Sequence, residues 1–121
     1  MKRDMELIRQ MVLAIEDFPS GFAPKTLNIE GYTKEQVSYH AHLMIQAGLA
    51  EGSDTTHMGS SGPEAILRKL TWEGHEFADA ARDETRWKKA LGLVQEKSGS
   101  VTMGVLIQVL VGLMKSTLGL P

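Results

Sequence analysis

The chain has 121 residues, 42% of them hydrophobic and 23% charged, the size and balance of one soluble domain with a helical appendage. Thirteen Lys and Arg against 15 Asp and Glu leave a net charge of −2, which argues against strong non-specific binding to nucleic acid. The absence of cysteine excludes a disulfide framework and thiolate chemistry, and it suits the cytoplasm.

From Asp4 to Asp17 the apolar residues Met5, Ile8, Met11, Val12 and Ile15 recur at helical spacing and form one inward stripe, with Lys2, Arg3, Arg9 and Glu16 mostly off it. The start, MKRDMELIRQ, alternates apolar and charged residues, so it is not expected to be a signal peptide. Pro19, Gly21 and Pro24 stop this helix. Thr26 to Ile29 reads as a short strand, and Glu30-Gly31 as a turn.

Thr33 and Gln36 have the spacing of a capping box, which predicts a helix running to about Ala47. Gly48 can take the left-handed position that ends it. Val37, His40 or Ala41, Met44 and Ala47 face inward, while Lys34, Glu35, Ser38, Tyr39, His42 and Gln46 face outward. Leu49 to Glu51 and Ala65 to Leu70 read as two strands, joined by a polar loop from Gly52 to Glu64.

Thr71 caps the next helical stretch. Its apolar stripe is Trp72, Phe77, Ala80 and Ala81, continued by Trp87, Leu91 and Val94 with a change of phase near Asp83. One bent helix or two consecutive helices fit this pattern. Ser100 is expected to cap a last helix, Val101 to Leu118, which is apolar on nearly every side. It is too short for a membrane span, which needs ~20 apolar residues.

The order helix, helix, strand, strand, helix predicts a mainly α chain with a small β-hairpin, an α+β fold of winged helix-turn-helix type with a C-terminal helical extension. The domain boundary falls between residues 1–83 and 84–121. There is little room for the extra helix that a helix-turn-helix places before its recognition helix. The apolar last helix predicts self-association, a dimer first of all, through Val105, Leu106, Val109, Leu110 and Leu113, with Gly104 and Gly112 permitting close approach.

Several motifs resemble an uncharacterised family of small bacterial and phage proteins, a domain of unknown function. They are Met1-Lys2-Arg3-Asp4-Met5 with Leu7-Ile8-Arg9, Tyr39-His40, Ala47-Gly48-Leu49, Leu70-Thr71-Trp72-Glu73-Gly74-His75-Glu76-Phe77, Ala81-Arg82-Asp83 and Trp87. The resemblance covers most of the chain and implies a winged helix and a link to phages or prophages. It implies no reaction.

No enzyme is expected. His40, His42, His57 and His75 lack the i, i+4 spacing of a helical zinc site, and no metal or cofactor motif is present. His40 is expected packed at the base of its helix, and His75 in a structural hydrogen bond near the wing. Gly59-Ser60-Ser61-Gly62 lacks the strand-to-helix setting of a nucleophile elbow. Glu73 and Glu76 read as a solvated first helical turn.

Two binding readings follow. In the first, a transcriptional regulator, Lys34, Ser38, Tyr39 and His42 meet double-stranded DNA, with Arg68 and Lys69 on the wing and Lys2, Arg3 and Lys25 at phosphates. A loop without Lys or Arg weighs against it. In the second, the chain is an assembly or protein-binding module, with a host or phage protein as partner.

Overall fold

The computed structural model describes residues 1–121, the side chain of Ser98 aside. Five helices and two strands follow in the order α1 (Met5–Asp17), α2 (Lys34–Gln46), β1 (Ala50–Asp54), β2 (Ala65–Leu70), α3 (Trp72–Ala81), α4 (Glu84–Ser98) and α5 (Met103–Thr117). The fold is α+β, mainly helical, with one two-stranded antiparallel sheet. The chain divides into two compact units, Met1–Ala78 and Asp79–Pro121.

In the first unit the local signals act as expected. Asp4 caps α1 by accepting from the N–H groups of Glu6 and Leu7. Thr33 accepts from Gln36 N–H, and Gln36 accepts from Thr33 N–H at 2.8 Å, closing the capping box of α2. Gly48, with φ +76°, ends that helix in the left-handed region. Leu7, Met11, Val12, Met44 and Leu49 form the core, each stabilising the fold by about 1.5–3 kcal/mol through burial. Arg9, expected on the outer face of α1, is buried, and its guanidinium meets Glu6 at 3.3 Å. A long aliphatic stem can cover core surface in this way.

Residues 18–33 contain no helix, so the extra helix of a helix-turn-helix has no counterpart. Nor is Thr26 to Ile29 a strand. Only Ala23 reaches the sheet, its N–H donating to the carbonyl of Arg68 at 2.7 Å. Pro24, which follows, has no N–H with which to continue a ladder.

The first strand extends further than its polar residues suggest. Gly52, Ser53 and Asp54 pair with Leu67, Ile66 and Ala65, after a register shift at Glu51/Gly52. The loop is therefore Thr55 to Glu64, and its base is closed by Thr55 N–H donating to Glu64.

Trp72 does not share the inward stripe of α3; it is 77% exposed. Five residues separate it from Phe77, about 140° around a helix. The buried face starts instead at Gly74 and continues through Phe77, Ala78 and Ala81.

In the second unit the phase change near Asp83 is a break between two helices. Asp83 caps α4 by accepting from Arg86 N–H at 2.8 Å, and the Arg86 side chain donates back to the Ala80 carbonyl at 3.0 Å. One residue pair thus ends α3 and starts α4. Gly99, with φ +73°, closes α4. Thr102, not Ser100, caps α5, because the left-handed turn at Gly99 delays the next helix. α4 and α5 pack together. Among the described residues no helix is long and apolar enough to cross a membrane.

Candidate functional site

The hairpin lies against α2, and this contact decides what the outer face of α2 can do. Ser38 turns its hydroxyl to the Ala65 carbonyl of β2 at 3.5 Å. His42 sets Nε2 3.4 Å from Asp54 of β1, and its Nδ1 is buried with no hydrogen-bond partner. Tyr39 stacks edge-on against the ring of His40. Of the four residues expected to read DNA from this helix, Lys34 is exposed and Ser38, Tyr39 and His42 are half-buried.

The cations of the hairpin are also engaged. Arg68 and Lys69 both reach Glu51, at 3.5 and 3.4 Å. Such exposed pairs are weak, about 0–1 kcal/mol, but Glu51 offsets part of their field. A cleft of about 430 Å³ opens between the start of α2 and the loop, and Glu35 and Glu64 line it. Two carboxylates there oppose a phosphate backbone.

The loop holds one arrangement that looks catalytic. Ser60 lies 3.0 Å from Nδ1 of His57, and Glu64 lies 3.5 Å from the same nitrogen. A serine relay needs base and orienting acid on opposite ring nitrogens. With both on Nδ1, no proton can pass through the ring, so the group serves as a loop brace. Among the described residues no cluster of His, Asp or Glu is placed to hold a metal ion.

His75, expected near the wing, bonds instead to Glu16 at the end of α1, 3.0 Å away. This bond ties α1 to the first turn of α3. Asp17 and Phe18 follow Glu16 in the chain, Trp72, Glu73 and Glu76 flank His75 in the first turns of α3, and all five are exposed. The Trp72 indole N–H donates to Glu76 at 3.1 Å, which holds the ring in place. α3 has three acids, Glu73, Glu76 and Asp79, and no Lys or Arg. This aromatic, acidic surface escaped the sequence reading because Trp72 was assigned to the core. The phase of α3, counted from Gly74, would have exposed it.

Asp4, Tyr32 and His40 form a second constellation. Tyr32 donates to Asp4 Oδ2 at 3.1 Å, while the Asp4 N–H donates to His40 Nε2 at 2.8 Å. Burial, then the hydrogen bond to Asp4, raises the Tyr32 hydroxyl pKa above its ordinary 10.0. His40 is fully buried, and its other nitrogen meets the Gln36 carbonyl at 2.8 Å. The Asp4 N–H requires Nε2 to accept, so Nδ1 carries the proton. All members have fixed partners within the fold, so this constellation reads as architectural.

Of the residues expected at an oligomer interface, Leu106 and Leu110 are wholly buried within the single chain. Val109 and Leu113 are half-buried, and Val105 is exposed. Val111 and Leu118 add further exposed apolar surface on the same stretch. Gly104 and Gly112 border open space.

These features define a small α+β domain in which a hairpin is braced on a capped helix, followed by a two-helix unit. The chain belongs to the family described as Hypothetical protein (DUF2513), whose model matches residues 2–100. It is 33% identical over 117 residues to an uncharacterized protein of Haemophilus influenzae, covering 90% of this chain and 92% of that relative. No solved structure matches the chain.

Proposed function

We infer that the chain is a non-catalytic protein-binding module, and that its contact surface is the Phe18–Trp72 face. The observation that carries this reading is the exposure of Trp72 together with its tether to Glu76. A tryptophan held open to solvent costs hydration free energy in the free protein, and such residues dominate binding energy at interfaces. Glu73 and Glu76 beside it on α3 suit a partner segment that is basic as well as apolar, with a Lys or Arg over the indole face.

Double-stranded DNA is the second reading. One observation favours it: Lys25, Lys34, Arg68 and Lys69 are all exposed on or near α2 and the hairpin. A winged-helix arrangement would bring such residues to a duplex. The acidic cleft and the Glu51 pairs weigh against it.

One titration separates the two. Labelled amphipathic peptides with the same apolar residues, carrying either Lys/Arg or Asp/Glu, are followed by anisotropy beside a mixed-sequence duplex. The basic peptide is expected to bind and to lose about ten-fold in affinity on Trp72→Ala. Equal binding of acidic and basic peptides, or indifference to Trp72→Ala, overturns the protein-binding reading. Duplex binding that weakens steeply with salt and with Arg68→Ala/Lys69→Ala supports the second.

A further inference from the structure

The irregular segment between α1 and α2 borders a groove. Residues 23–27 cross the domain as irregular chain, and between them, α2 and β2 lies a cavity of about 290 Å³. Its walls are aliphatic, with Leu27, Val37, Ala41 and Leu67 among them, and Lys25 and Lys34 stand at its rim. Both lysines are exposed, and neither forms an ion pair. Arg9 pairs with Glu6, Arg68 and Lys69 with Glu51, and Lys88 with Glu84. Among the described residues, Lys25 and Lys34 share their unpaired state with Lys2, Lys89, Lys97 and Lys115 and differ from those in lining an apolar groove.

We propose that this groove binds a small amphiphilic carboxylate, with its hydrocarbon part against Val37, Ala41 and Leu67 and its carboxylate between Lys25 and Lys34. The volume is at the lower end for ligand sites, so it suits a compact molecule. Aliphatic walls lower the local dielectric and strengthen the attraction of two ammonium groups for one anion. A cationic ligand meets the opposite field. A peptide strand added to β2 is disfavoured, because Ala23 already donates to the Arg68 carbonyl on that edge.

The site is separate from the Trp72 surface and stands or falls independently of it. The experiment is a methyl-NMR titration of the full chain with octanoate, octanol and octylamine. Octanoate is expected to shift the methyls of Leu27, Val37 and Leu67 saturably and to bind at least about ten-fold tighter than octylamine. The double variant Lys25→Met/Lys34→Met keeps the aliphatic stems of two exposed residues, so folding is not at issue. It should abolish the preference for octanoate and leave octanol binding unchanged. Equal affinity for octanoate and octylamine overturns the proposal. So do shifts confined to residues outside the groove, no shifts up to the solubility of octanoate, or an unaltered preference in the double variant.

Discussion

The backbone N–H of Asp4 donates to Nε2 of His40 across 36 positions of sequence, at 2.8 Å. This bond joins the cap of α1 to the middle of α2, and the Asp4 side chain adds Tyr32 to the same point. Two motifs that are far apart in the chain, one around Asp4 and one around Tyr39-His40, therefore describe one junction.

His40→Phe should fill the buried space but leave the Asp4 N–H without its partner, while the Gln36 carbonyl keeps the helical N–H of residue 40. A loss of about 1–3 kcal/mol is expected in urea unfolding. Asp4→Asn, which keeps a capping oxygen, should cost less than Asp4→Ala.

Gly74 lies against Leu49 so closely that a Cβ at position 74 would fall on the Leu49 carbonyl oxygen. Backbone blocks it, and Thr71 pins the same place by donating its N–H to Leu49 at 3.0 Å and its hydroxyl to Gly48. Gly74→Ala should therefore destabilise by about 3 kcal/mol, the upper range for overpacking. Gly92, in α4, borders open space. Gly92→Ala should raise stability by about 0.5–1 kcal/mol, both variants being read by urea unfolding.

Two groups set expectations for pH. The Asp54 carboxyl is held below its ordinary value of 3.8, chiefly by the Thr56 hydroxyl and N–H, with His42 nearby. Its folded pKa lies below the unfolded one. Its contribution is thus present above the ordinary carboxylate range and is lost as pH falls through the folded value. Asp54→Asn should flatten that acid limb. Tyr32 behaves oppositely: its folded pKa is raised, so its contribution is present below pH 10.0 and is lost as pH rises beyond it. Thermal melts through the alkaline range should decline more steeply for the native chain than for Tyr32→Phe.

On α5, exposed and buried apolar residues predict opposite outcomes. If two copies meet through this helix, Val105→Glu with Val111→Glu should move the sedimentation coefficient to that of a monomer. Stability of the single chain should change by less than about 0.5 kcal/mol. Leu110→Ala, at a fully buried site, should cost about 2–5 kcal/mol. A native chain that sediments as a monomer at all concentrations would sink self-association through α5.

Trp72→Ala should leave the melting temperature nearly unchanged, because little of the ring is buried. A large loss of stability would mean that the indole supports the fold and would remove the main support for the binding reading.

The amino-acid sequence by itself determined the capping and ends of the helices in the first unit, though not the strand limits or the start of α5. Thr33 with Gln36, and Thr71 through its bond from the Gly74 N–H, cap locally, while Gly48 and Pro19 act through their own backbone, so these helix starts and ends were legible without tertiary contacts. The α+β order followed from them. Tertiary packing alone decided which faces remain open. Ser38 and His42 look solvent-facing on α2 until the hairpin covers them, and Lys69 and Glu51 meet only because of the strand register. Trp72 and the Lys25–Lys34 groove depend on what is absent beside them, and helical period cannot report a missing neighbour. Local bonding is encoded within a few residues, whereas exposure is a property of the packed chain.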